Sequence, residues 1–338
     1  MSSISTDGDV GDCIYTLGVI SGIPNPPHTL LARVQQLTKS KTQEVVDQLV
    51  FLLKRLVEKQ PYIKEFRSWK DGDTREWDSG GFRLANMHMA TYTLLNAYYR
   101  HFKSKFPNSP CGDGSKAWLT CGKSPKAKDR IIINRTDRYR NKFFPWNEIV
   151  QFYGKRLLFV GTPDEHEKFC NDFGEVEYQK TKDMLDVAEL INGSLLFIGN
   201  QSCANAIAEG LKHDLIQETS LDIPDCIFKR PNAKHVIDGS VVLPNFDGGE
   251  PYKIRHPSVE TRDIDISTVP PNRWVVRLPD GYEERHIFLD HAVNLGLQNG
   301  MTRDDVMRQN ADEYREYFFQ TCYHFLLGTA RTALNNAQ

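Results

Sequence analysis

Ser194-Leu-Leu-Phe-Ile-Gly-Asn-Gln-Ser-Cys-Ala-Asn-Ala-Ile-Ala-Glu-Gly-Leu211 is the stretch on which the fold turns. A short apolar run ends in Gly-Asn-Gln-Ser, and small and apolar residues follow at helical spacing. A run of that length, bounded by turn residues, predicts a strand over 194–199 buried on both faces. Gly199 is expected to let the chain turn tightly. Asn200 or Ser202 is expected to cap a helix over 204–211, leaving the N–H groups of 201–204 for a diphosphate or for an ordinary capped turn.

The same alternation runs upstream. Arg130-Ile-Ile-Ile-Asn134 and Arg156-Leu-Leu-Phe-Val-Gly161 read as buried strands, with Val176-Glu-Tyr178 as a third. Between and after them, 146–153, 164–173 and 181–191 carry helical patterns. Such order predicts an α/β fold with a parallel sheet covered by helices on both faces. Nearer the N-terminus, 2–5 reads as a strand, 6–12 as a turn with two glycines, and 13–20 as a helix. Apolar positions 45, 46, 49, 50, 52, 53, 56 and 57 predict a helix over 43–58, ended by Pro61.

Residues 107–129, rich in Pro, Gly, Ser and Lys, read as an interdomain linker between domains 1–106 and 130–284. The region 244–284 breaks the alternation with isolated β-like pieces, and 285–338 reads as helical, above all 304–327. The 338 residues suffice for two α/β domains. With 42 basic and 44 acidic residues, the chain has no overall attraction to nucleic acid or anionic lipid. Seven scattered cysteines without CxxC spacing suggest reduced thiols and a cytoplasmic protein. No secretory signal and no membrane span are expected.

Three loops carry candidate chemistry. Gly199, Asn200, Gln201 and Ser202 form the first. Asn134-Arg-Thr-Asp-Arg-Tyr-Arg-Asn-Lys142 is the second, where Arg135, Arg138, Arg140 and Lys142 gather positive charge directly after a strand. That run is either a phosphate site or a solvated face. Gly8-Asp-Val-Gly-Asp12 is the third, with carboxylates that can take a proton from a hydroxyl or cap a helix. GxGxxG, Walker A, GxSxG and HExxH sequences do not occur. His166, in Asp164-Glu-His-Glu167, is read as a solvated residue at a helix start, so no metal site is expected.

Together these loops resemble the heptosyltransferase-like glycosyltransferases, over about 5–218. The resemblance implies the GT-B architecture, two facing Rossmann-like domains with a cleft between them. Gly11-Asp12 followed by Thr16-Leu17-Gly18 resembles the family's Gly-Asp and Thr-Leu-Pro, with glycine in place of proline. Asp12 is thereby implied as the catalytic base, beside Gly11. Thr136, Arg138 and Lys142, with Pro145-Trp146 after them, fall where the family holds the donor's phosphates. Glu165 or Glu167 matches an acidic residue that holds the donor nucleoside. The family's Asp-Thr-Gly becomes Asn200-Gln201-Ser202.

The strings 60–63, 134–141 and 197–203 resemble a divergent branch found among phage and bacterial proteins. The late helices are then expected to pack back on the N-terminal domain. The implied activity is metal-independent transfer of a sugar from a nucleotide-diphosphate donor to a saccharide or lipid-linked acceptor, with no cofactor. Two alternatives stand beside it: a phage enzyme glycosylating a hydroxymethylated base in DNA, and a non-catalytic nucleotide- or sugar-binding module.

Overall fold

The computed structural model describes residues 3–34, 42–83, 93–220, 226–228, 230–236 and 239–254, with the backbone of 275–277 and 283–285. The helices expected within 287–328 lie outside the described residues. Four strands, β1 (Ser3–Thr6), β2 (His28–Ala32), β3 (Ile63–Ser68) and β4 (Trp77–Asp78), form a parallel sheet in the order β3-β2-β1-β4. Helices α1 (Val10–Ile20), α2 (Gln43–Glu58) and α3 (Leu94–Lys105) pack against it.

The second sheet has six parallel strands: β5 (Ile131–Asn134), β6 (Leu157–Phe159), β7 (Glu177–Tyr178), β8 (Leu196–Asn200), β9 (Leu215–Glu218) and β10 (Ala233–Val236). Their order is β10-β9-β8-β5-β6-β7. Helices α4 (Trp146–Tyr153), α5 (Pro163–Phe173), α6 (Met184–Gly193) and α7 (Cys203–Gly210) connect them. Two antiparallel hairpins follow, β11 (Val241–Leu243) with β12 (Tyr252–Ile254), and β13 (Val275–Arg277) with β14 (Glu283–Arg285). The alternation read from 130 onward is therefore present as a doubly wound sheet.

Upstream the structure adds what the sequence reading omitted. β3 carries Lys64, Glu65 and Arg67 among its apolar residues, which hides its strand pattern. β4 has only two residues, and α3 carries Asn96, Arg100, Lys103 and Lys105 off its buried face and a polar residue, His101, on it. α1 begins at Val10 rather than 13, because Asp9 is its N-cap and the Asp12 carboxylate accepts from the Asp9 amide at 2.7 Å. α6 begins at Met184 because Asp183 accepts from the Leu185 and Asp186 amides.

The expected linker is not a loose tether. Trp118 is 3% exposed and Leu119 4%, and both backbone amides donate to the Gly210 carbonyl. The Trp118 indole donates to the Ile14 carbonyl at 3.0 Å, and Tyr62 donates to the Trp118 carbonyl. Gln60 closes the clamp by accepting from the Thr120 amide. One hydrophobic core accordingly runs from α1 and α3 through Trp118 to α7 and α6. A second core fills the other side of the six-stranded sheet, around Trp146, Phe159 and Phe169.

Burial pushes His213 down to about 4, although Asp214 opposes that shift. Its Nε2 lies 3.0 Å from Ser194 Oγ. The native ring is neutral at pH 5–6, whereas an unfolded histidine has a pKa of about 6.5 and takes up a proton there. Stability is therefore full above about pH 6.5 and falls as pH drops towards 4, by roughly 2–3 kcal/mol in total. In urea titrations a His213→Gln variant should show a flatter pH dependence across that window.

Candidate functional site

Strand order decides where ligands can sit. In an open parallel sheet, they lie beyond the carboxyl ends of strands where the winding reverses. The reversal in the second sheet falls between β5 and β8, and in the first between β1 and β4. Residues 135–142 leave β5, 201–202 leave β8 and 7–9 leave β1. The three loops singled out from the sequence thus emerge at the two reversal points.

They also meet. Arg138 Nη1 lies 3.5 Å from Asp9 Oδ2, joining the loop after β5 to the N-cap of α1. Three residues on, the Asp12 carboxylate is held by the Asp9 amide and by the Tyr98 hydroxyl, at 2.7 Å each. A Cβ on Gly8 would fall 2.1 Å from Asp12 Cβ, so only glycine fits where the loop passes this carboxylate. Gly11 faces α7, with its would-be Cβ 4.0 Å from Ala206.

The loop 135–142 is held from beneath by two buried side chains. Asn200 is fully buried. Its amide nitrogen donates to the carbonyls of Thr136 and Arg138, at 3.1 and 2.6 Å, and its oxygen accepts from the Thr136 amide. Tyr139, at φ 56, sits in the left-handed region just past those bonds. Asn200 therefore shapes the loop instead of facing a ligand, and the departure from Asp acquires a reason: a carboxylate cannot donate to two carbonyls. Asn200→Asp should cost about 1–3 kcal/mol in a denaturant titration, through repulsion and lost donors.

Glu218 is the second support. It is fully buried at the end of β9 and accepts from Arg135 Nε at 2.9 Å and Nη2 at 3.1 Å. The Asn141 amide and the Trp146 indole each donate to it at 2.8 Å. Asn141 in turn donates to the carbonyls of Thr219 and Val236. Arg135, 7% exposed and stacked 4.9 Å from the Phe173 ring, is thus a structural cation.

The expected cluster of four cations shrinks accordingly. Arg140 pairs with Asp137, which also takes Lys168 at 2.6 Å. The Lys168 ammonium is the first cause that holds Asp137 below its ordinary range. Arg138 and Lys142 remain on the surface, Lys142 with its ammonium 5.1 Å from the Phe143 ring centroid. The structure brings Arg138 to Thr136 and Asn200, while Lys142 stands apart at the loop's far end.

The loop after β8 differs in detail from its sequence reading. Gly199 lies within β8, not at a turn, and is needed for packing: a Cβ would fall 2.6 Å from the Asn134 carbonyl oxygen. Ser202 is the N-cap of α7, yet its hydroxyl donates to Asn134 Oδ1 at 2.6 Å and does not cap. Gln201 accepts from the Ser220 amide. With these side chains turned inward, the first turn of α7 keeps backbone N–H groups for an anion. Burial raises the thiol of Cys203, the first residue of α7, to about 11, and Glu165 adds to that shift. Glu165 thus stands within electrostatic reach of α7 while its carboxylate accepts from the Thr162 amide in a capping box.

Gly18 also finds an explanation. A Cβ there would lie 2.3 Å from Leu95 Cδ1 and 3.3 Å from the Trp118 ring, so a larger residue would have to displace the buried Leu95 side chain and crowd Trp118. His166 faces the Val176 carbonyl and Cys170 Sγ, and among the described residues no group of three or more His, Cys, Asp or Glu is placed to hold a metal. Among the described residues no helix is long and apolar enough to cross a membrane. The sequence reading missed Glu218 and Tyr98 as parts of the site. Only Glu218, an acid closing an apolar strand, left a readable trace.

The sequence matches no protein-family model and no curated protein. Among solved structures the chain is similar to the E. coli heptosyltransferase WaaC with ADP-2-deoxy-2-fluoro heptose, at 13% identity. That match covers 70% of this chain and 93% of the other, with a TM-score of 0.41. A glycosyl transferase family 9 protein from Veillonella parvula is similar at 13% identity over 70% and 86% of the two chains, with a TM-score of 0.46. E. coli ADP-heptose lps heptosyltransferase II is similar at 10% identity over 75% and 93%, with a TM-score of 0.41.

Proposed function

We propose that the chain is a glycosyltransferase that moves a sugar from a nucleotide diphosphate to an acceptor hydroxyl. The observation that carries this reading is the Arg138–Asp9 contact, which sets the reversal point of one sheet against that of the other. The diphosphate lies at the N-terminus of α7, where helix dipole and N–H groups favour negative charge. Arg138 supplies the cation beside the diphosphate, Lys142 adds charge from the far end of the same loop, and Gly199, Asn200, Gln201, Ser202 and Thr136 shape the cradle. Glu165 lies on the nucleoside side.

Across the crevice, Asp12 takes the proton of the acceptor hydroxyl. The oxygen attacks the anomeric carbon, and the bond from that carbon to the diphosphate breaks, its electron pair leaving with the phosphate oxygen. Cation and dipole stabilise the developing charge, so the reading needs no metal, and chelation by EDTA should leave turnover unchanged.

Thermal unfolding against nucleotide-sugars carried by ADP, UDP, GDP and CMP tests the donor site. One carrier should raise the melting temperature, with a stabilisation of about 2.7 kcal/mol at a hundredfold excess over its Kd. No shift with any carrier would overturn the reading.

A further inference from the structure

Parallel sheets are normally buried on both faces and apolar on both. The first sheet breaks that rule. One face carries Ile4, Leu30, Phe66 and Trp77, all within the core built with α1, α2 and α3. Pleating and register put Ser5, Thr29, Leu31, Glu65, Arg67 and Asp78 on the other, a mostly polar face on which Ser5 and Leu31 are buried and the rest half-buried. Among the described residues, the three helices of this unit all join the apolar side.

At the β4 edge opens a cavity of about 870 Å³, lined among others by Trp69, Asp73, Arg75, Asp78, His101 and Lys105. Its charges are mixed, the cations Arg75 and Lys105 lying among the carboxylates of Asp73, Glu76 and Asp78. Arg67 forks onto Asp73 at 2.7 and 2.8 Å. Arg33 and Arg75 share Asp78 at 3.3 and 3.1 Å, and their guanidiniums lie 4.8 and 5.6 Å from the Trp69 ring centroid. Burial, helped by Lys105, lowers His101 from its ordinary value, so the ring is neutral at pH 7.

Such a wall offers donors and acceptors at fixed places without a strong net field. A phosphate chain needs uncompensated cations. A neutral polyhydroxyl ligand needs what is present: planar carboxylate and guanidinium groups for adjacent hydroxyls, held beside a half-buried indole that fixes the two guanidiniums and adds apolar surface for C–H groups. The cavity wall is also joined to the 7–12 loop through Gly80 and Gly81. Gly81 lines the cavity, with a would-be Cβ 2.7 Å from His101, and a would-be Cβ on the preceding Gly80 would fall 2.0 Å from the Asp7 carboxylate. Asp7 opens the loop that carries Asp9 and reaches Asp12.

We propose that this cavity binds a neutral saccharide, with Trp69, Asp73 and Arg75 as recognition groups. Its role as the acceptor site rests on the transferase reading; its binding of saccharide does not.

The test is a glycan array carrying neutral oligosaccharides, acidic oligosaccharides and duplex DNA, probed with the full chain. Thr74→Trp fills the cavity from an exposed lining position, and Trp69→Ala removes the platform. Retention of neutral glycans at raised salt is expected, and both variants should weaken it about tenfold or more. The nucleotide-sugar thermal shift should stay unchanged in both, which also shows that they fold. Binding confined to DNA or to acidic glycans, no glycan binding at all, or neutral binding indifferent to Thr74→Trp would each overturn the proposal. A missing thermal shift in the unaltered chain sinks the donor site instead, while the array still decides the cavity.

Discussion

Glu218→Ala should lower the unfolding free energy by about 3–5 kcal/mol, the usual cost of breaking a buried ion pair by removing one partner. The carboxylate is fully buried, and its loss leaves Arg135 with only the half-exposed Asp172 at 3.7 Å and strands the Asn141 amide and the Trp146 indole. Against a typical total of about 5–15 kcal/mol, that is a large fraction. A urea titration measures it as a lower midpoint. Replacing both partners, Arg135→Met with Glu218→Met, should recover much of the loss, because two apolar side chains leave no orphaned charge. The double variant separates a charge effect from a packing effect. A single-variant loss below about 1 kcal/mol would mean that water replaces the carboxylate.

Asp12→Asn should reduce transfer by about 10²–10⁴-fold, the range that general-base catalysis contributes. The side chain keeps its shape: its oxygen can still accept from the Asp9 amide, and its NH2 group can donate to the Tyr98 oxygen once that hydroxyl turns. The structural cost should stay near 1 kcal/mol, the scale of a helix cap. Rate and stability therefore respond on different scales, and the nucleotide-sugar thermal shift should survive. Turnover within threefold of the unaltered chain would remove Asp12 as the base and favour a water or another carboxylate of the 7–12 loop.

The readable parts of the site were those where backbone and residue type suffice. A strand followed by Gly199 and Asn200, or by Arg135 to Lys142, marks a loop at a sheet's carboxyl edge whatever lies around it. What such loops do with their side chains was not readable. Asn200, expected at the ligand, is spent on Thr136 and Arg138. Arg135, expected among the phosphate cations, is consumed by Glu218, more than eighty positions away in sequence. Linear proximity of charges says nothing about which of them meets a distant carboxylate.

The linker illustrates the same limit. Its backbone is irregular, as its Pro, Gly and Ser content suggests, yet Gly112 is there for contact: a Cβ on Gly112 would fall 1.9 Å from the Gly18 carbonyl oxygen. Composition cannot tell a flexible glycine from one that lets two backbones touch.

From the sequence alone came the doubly wound second half, the places where its loops emerge and the residues those loops contain. These rest on local periodicity, because a strand buried on both faces must be apolar throughout. The tertiary structure alone decided which cations stay available, that the two reversal points face each other through Arg138 and Asp9, and that one sheet face is mostly polar beside a cavity. Those features depend on contacts between residues far apart in the chain, where burial sets the energetic cost of every unpaired group.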